Sequence, residues 1–144
     1  MALQINSTVL IARPVEEVFA FLLDIERSAA TDPNLVSVEK TPPGPIGVGT
    51  TYVLQQRIQG KVRQSTMRLT EIEPNHLIAF AADLGPMEAQ MRLSVEPAQG
   101  GTRVTAHGEG MPRGIFRLFS RHLQRMGHRV WDMRLAQVKA ALEG

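Results

Sequence analysis

The chain has 144 residues, 43% hydrophobic and 21% charged, with a net charge of +2 at pH 7. That is one domain's worth of polypeptide with ordinary globular composition, enough to bury a single substantial core. It has no cysteine, which excludes disulfides, thiolate metal sites and cysteine nucleophiles and fits a reducing compartment.

The N-terminal MALQINSTVLIARP lacks a basic leader and a long apolar run, so the expectation is a cytoplasmic chain with no membrane span. LQINSTVLIA (3–12) alternates as a strand with Ile5, Val9 and Ile11 on one side. Pro14 suits a first helical position, and Glu16 and Glu17 complement the positive end of a helix there. Val15, Val18, Phe19, Leu22 and Leu23 follow helical spacing, and DIERSAATDPN adds a second short helix ended by Pro33.

From Leu35 the period changes to two, predicting strands near 35–41, 50–58, 62–72, 77–84, 88–96 and 102–110. The intervening PPGPIGVG, QGK, EPNH, GPM and AQGG carry turn chemistry. The cleanest run alternates Ala89, Met91, Leu93 and Val95 with polar residues, so one face is buried and one is wet. After Pro112 the period is helical to the C-terminus. The order is strand, two short helices, six strands and one long helix, and a one-faced sheet of that size needs the long helix as its cover.

This order, with IARPVEEVFAFLLD (11–24), DPNLVSVE (32–39), TEIEP (70–74), VEP and GGTRVT (95–105) and LAQVKAALE (135–143), resembles the START-like (SRPBCC) superfamily of polyketide cyclase/dehydrase and lipid-transport type. The resemblance implies an α+β helix-grip fold over residues 1–144 as one domain. A seven-stranded antiparallel sheet would wrap around a long C-terminal helix, with two short helices after the first strand. It also implies a largely apolar pocket beneath that helix. Many members carry Trp just before the DPN segment. Here that position is Thr31, which makes the mouth more open or more polar.

The long helix carries two apolar stripes. Phe116, Phe119, Leu123, Met126 and Val130 form one, while Trp131, Leu135, Val138 and Leu142 form another, rotated by about a third of a turn. A straight helix cannot aim both at one flat surface. Either the helix bends near Gly127 or it wraps gently over a twisted sheet. Residues 113–134 hold six Arg and one Asp, and arginines at 113, 117, 121, 125 and 129 recur every fourth residue. They read as a solvated helix face, with contact to a membrane surface as the next reading. No nucleic-acid recognition motif accompanies them.

Arg134 falls instead between Trp131 and Val138 on the apolar side. A buried guanidinium needs a carboxylate, carbonyls or a ligand. It either snorkels to the edge or pairs with an acid such as Asp83, or it anchors the polar end of a bound molecule. The inner face of the last strand reads Val104, Ala106, Gly108, Gly110, and its shrinking volume either bends the strand or leaves space. The candidate ligand-binding residues are Tyr52, Met67, Phe80, Met91, Phe116, Phe119, Leu123, Trp131 and Arg134, mostly apolar with a few polar handles.

GPIGVGT lacks the Lys-Ser/Thr ending of a phosphate loop and the dinucleotide spacing. No G-x-S-x-G or H-E-x-x-H is present. His128 and Asp132 are four apart on one helix face and read as a surface pair rather than a metal site. No catalytic residue, metal or cofactor is therefore assigned. The main expectation is binding or carriage of a small hydrophobic molecule, lipid-like or aromatic. The alternatives are a polyketide aromatase/cyclase or dehydratase, in which Arg134 or Tyr52 stabilises an enolate or moves protons, and a peripheral membrane or regulatory module using the basic helix.

Overall fold

Alternation along the first strand turns Leu3, Ile5, Ser7 and Ile11 inward and leaves Gln4, Asn6 and Thr8 in solvent. The computed structural model, which describes residues 2–85 and 87–144, joins this strand and six others into one sheet. β1 (Leu3–Ile11) leads to two short helices, α1 (Val15–Leu23) and α2 (Ile25–Ala29). Then come β2 (Leu35–Thr41), β3 (Thr51–Ile58), β4 (Lys61–Glu73), β5 (Leu77–Asp83), β6 (Met87–Ala98) and β7 (Gly101–Pro112). All neighbours pair antiparallel in the order β1-β7-β6-β5-β4-β3-β2. A 3-10 turn (Gly114–Phe119) and the long helix α3 (Ser120–Glu143) complete the chain.

Local chemistry explains the boundaries. Pro14 precedes α1 and Glu16 and Glu17 occupy its first turn, while the Asp24 carboxylate caps α2 by accepting from Arg27 N at 3.2 Å. Gln59-Gly60 and Gln99-Gly100 have positive φ at both positions, the backbone that two-residue hairpins need. Thr70 is bulged out of the β4–β5 ladder, which bends the strand locally. Tyr52, Ile5, Ile11, Leu69, Ile78 and Val104 lie at the centre of the core.

β1 is an edge strand, and an uncovered edge leaves unpaired backbone groups. Side chains of α3 satisfy them in series. Gln124 Oε1 accepts from Gln4 N at 3.3 Å, Lys139 Nζ donates to Leu10 O at 2.7 Å, and Glu143 Oε2 accepts from Ala12 N at 2.7 Å. His128 Nδ1 lies 3.3 Å from Asn6 N and 3.0 Å from Asn6 O, while Ser7 Oγ donates to Asp132. His128 and Asp132 thus each serve β1 rather than pairing with one another. The helix is held along its length by this seam and at its C-terminal end by Glu143, which also accepts from Lys139.

The two stripes resolve in a way the wheel left open. α3 is one uninterrupted helix. Gly127 is buried because the helix crosses β1 there, and a Cβ would stand 3.0 Å from Ile5 Cδ1. Only the second stripe is covered, with Leu135, Val138 and Leu142 buried. The first stripe stays largely outside. The expected α-helix from residue 113 is also corrected, since 114–119 are wound as 3-10 and only Ser120 onward is α.

A second correction concerns β7. The narrowing at Gly108 and Gly110 makes no cavity, because Met91 Sδ and the Gln90 carbonyl crowd the place of a Gly108 Cβ and Met87 Sδ lies 3.0 Å from that of Gly110. These glycines allow close approach of β6.

Candidate functional site

Strand parity carries the site from the sheet side. Leu54 and Gln56 on β3, Ser65 and Met67 on β4, Phe80 and Ala82 on β5, and Ala89, Met91 and Leu93 on β6 share one inward face. α3 supplies Val130, Trp131, Arg134, Leu135 and Val138, and the α1–α2 region supplies Leu22, Ile25 and Ser28. Together with Thr66 and Leu84 they enclose a cavity of about 180 Å³ between sheet and helix. Its far wall is a tilted aromatic pair, Phe80 and Trp131, with centroids 6.0 Å apart and planes at 35°.

Arg134 is the single charged residue in that wall. Its guanidinium carbon lies 5.9 Å from the Trp131 ring centroid, at the limit of a cation–π contact. Among the described residues it forms no hydrogen bond and no ion pair. Burial pulls its pKa down and the nearby Asp32 charge opposes that, yet a guanidinium stays protonated in either case. Asp32 is itself engaged, accepting from Gln56 Nε2 and from Asn34 N, each at 2.8 Å. The Asp83 partner expected for Arg134 is corrected. Asp83 accepts from Arg113 at 2.8 and 3.2 Å, and Glu88 binds the same guanidinium. Arg113 therefore leaves the solvated ladder and ties the 3-10 turn to the β5–β6 hairpin.

Five of the nine sequence candidates meet at the cavity: Met67, Phe80, Met91, Trp131 and Arg134. Tyr52 is wholly buried in the core beside them rather than in the lining, and its hydroxyl has no partner among the described residues. Burial pushes its phenol pKa up, with the charges of Glu26 and Asp24 adding to the rise. Phe116, Phe119 and Leu123 stand outside the lining, because the 3-10 turn puts the first stripe beyond the sheet. The polar arc of Ser28, Gln56, Ser65 and Thr66 was not singled out in the sequence. The inward parity of Gln56 with Leu54, and of Ser65 with Met67, is the signal that marks two of them. Thr31, at the position where many family members carry Trp, is not among the lining residues; its Oγ1 donates to Ser28 O at 2.7 Å.

A seven-stranded antiparallel sheet gripping a C-terminal helix, with an apolar cavity between them, defines a helix-grip protein of the START-like class. Within it, the chain belongs to the polyketide cyclase/dehydrase and lipid transport family, whose model matches residues 2–143. Among solved structures it is similar to Ara h 8.0201, with a TM-score of 0.80, 15% identity and 100% of both chains covered. It is also similar to the Zhui aromatase/cyclase from Streptomyces sp. R1128, with a TM-score of 0.81, 16% identity, and 99% of this chain and 94% of that one covered. The di-domain aromatase/cyclase StfQ of the steffimycin biosynthetic pathway matches with a TM-score of 0.84 and 11% identity. There 99% of this chain covers 51% of that one, so it spans about half of the larger protein. At these identities the likeness is one of fold. No curated protein matches the chain in sequence.

Proposed function

We infer that the protein binds and carries a small hydrophobic molecule whose acidic or carbonyl-bearing end meets Arg134. The observation that supports this reading is a guanidinium on a mostly apolar wall, with no acid among the described residues bonded to it, beside an aromatic pair. A charge so placed costs desolvation that an anionic or strongly polar ligand group would offset. Apolar walls with few convergent polar groups are the usual make-up of a small-molecule pocket, and about 180 Å³ limits the occupant to a compact ligand or one segment of a longer chain.

A cyclase or dehydratase is the second reading, favoured by the polar side chains of Ser28, Gln56 and Ser65 that share the lining with Arg134. In it Arg134 stabilises an enolate oxygen. Among the described residues no carboxylate or imidazole lines the cavity, so the proton-moving group that such chemistry needs would have to come from the substrate or water. This weighs toward carriage.

Native mass spectrometry of the purified protein tests both readings. A co-purifying acid or carbonyl compound, displaced by added octanoate, supports carriage. Trp131 is the chain's one tryptophan and lines the cavity, so its fluorescence reports occupancy directly. No fluorescence response to octanoate and no co-purifying molecule would overturn the carrier reading. Conversion of an added poly-β-keto thioester to a cyclic product would favour the enzyme.

A further inference from the structure

The exposed stripe has a chemistry of its own. Residues 114–131 carry Arg117, Arg121, Arg125 and Arg129 and no Asp, Glu or Lys. Those four arginines form no ion pair with an acid among the described residues. Interleaved with them are apolar side chains that nothing covers: Leu118 is 80% exposed, Ile115 67%, Phe119 52% and Phe116 42%. Farther along α3, Met126, Val130 and Met133 are also exposed, within about 60° on the wheel and flanked by Arg125 and Arg129. Val130 belongs both to this exposed surface and to the cavity wall, so the patch runs into the cavity mouth.

We propose that this surface docks the protein on anionic lipid bilayers, with the 3-10 turn inserted at the interface and the cavity mouth facing the membrane. Charge complementarity selects the occupant. A second copy of the chain would set four arginines against four arginines. Nucleic acid would use the cations but leave Leu118, Ile115 and Met126 without an apolar partner. An anionic bilayer satisfies both sets, with acyl chains for the apolar residues and headgroups for the guanidinia. The Arg113 clamp on Asp83 and Glu88 and the β1 seam hold the turn in place as the helix meets the surface. Direct exchange of ligand between cavity and bilayer follows as a consequence, and that part rests on the carrier reading; docking does not.

The test is co-sedimentation with vesicles of phosphatidylcholine containing a third phosphatidylglycerol, at low and high salt, beside vesicles of phosphatidylcholine alone. The wild type is expected to pellet with the anionic vesicles and to be released by salt. Arg117→Gln/Arg121→Gln/Arg125→Gln should lower partitioning about a hundredfold. Ile115→Ser/Leu118→Ser should lower it at least severalfold at low salt while leaving the circular dichroism spectrum unchanged. Wild type that stays in the supernatant would overturn the proposal. So would partitioning that ignores Ile115→Ser/Leu118→Ser, which marks simple electrostatic adsorption. Self-association without lipid that Leu118→Ser abolishes would assign the patch to a second copy instead. Octanoate binding, followed by Trp131 fluorescence without vesicles, keeps the two readings apart. Vesicle binding with neither octanoate binding nor a co-purifying molecule sinks the carrier reading and leaves docking intact.

Discussion

Arg134 and Trp131 stand side by side on the cavity wall, guanidinium carbon 5.9 Å from the indole centroid, and no carboxylate among the described residues is bonded to the arginine. A residue so placed is a load on the fold unless a ligand answers it. Arg134→Met should therefore melt at or above the wild-type temperature. A hydrogen bond to a charged group contributes about 1.5–3 kcal/mol, so octanoate affinity should fall about tenfold to a hundredfold, with octane binding unchanged. Thermal melts and Trp131 fluorescence titrations read the two effects separately. Equal loss of both ligands, or a large drop in melting temperature, would return Arg134 to a structural role.

Gly127 tests how the helix meets the sheet. Glycine in a helix interior costs about 1 kcal/mol relative to alanine, so propensity alone favours Gly127→Ala. The new Cβ would press on Ile5 Cδ1 at 3.0 Å and Cγ1 at 3.2 Å, and overpacking costs about 1–3 kcal/mol. The net expectation is a loss of up to about 2 kcal/mol in urea unfolding. In an Ile5→Val background, which removes Cδ1, the same change should turn neutral or stabilising. Identical effects in both backgrounds would mean that the helix does not rest on Ile5.

Tyr52 is buried with an unpartnered hydroxyl, and an unsatisfied buried polar group costs about 1–3 kcal/mol. Tyr52→Phe keeps the ring and should be neutral or stabilising by about 1 kcal/mol. Because burial raises the phenol pKa, the wild-type side chain is a neutral donor at pH 7 and no phenolate base. Destabilisation by more than a kcal/mol or so would show that the hydroxyl has a bonded partner in solution.

The Arg113 clamp predicts a pH dependence with a definite sign. Hydrogen bonds from Arg113 and the Gly85 amide hold the Asp83 carboxyl below its usual range. Lys139, with the Ala12 amide, does the same for Glu143. The folded chain therefore binds fewer protons than the unfolded chain near pH 4. The stabilisation is complete above the ordinary carboxylate pKa of about 4 and is lost as pH falls through the lowered folded values. Asp83 is exposed and Glu143 partly so, so the effect is modest. Chemical denaturation at a series of pH values should show the acid-side slope reduced in Asp83→Asn. An unchanged slope would mean that the clamp is not formed in solution.

Most of the sheet was readable from the order of residues, because strand parity and turn chemistry are local. Ala89, Met91, Leu93 and Val95 alternate with polar neighbours whatever the rest of the chain does, and Gln-Gly pairs close hairpins through backbone freedom alone. That locality is why Met67, Phe80 and Met91 were found among the cavity residues. The fate of the helix stripes was not local. An apolar stripe says that a face is apolar, not that a surface exists to cover it. Leu135 and Val138 are buried while Phe116 and Phe119 are exposed, because the sheet ends before it reaches the second pair. Partner choice was hidden for the same reason: Arg113 and Asp83 are 30 residues apart, and only the closed sheet brings them together. Asp83 has the strand parity opposite to the lining residues Phe80 and Ala82, so Arg113 meets it there while Arg134 faces the cavity without it, and no property of either arginine alone could have decided that.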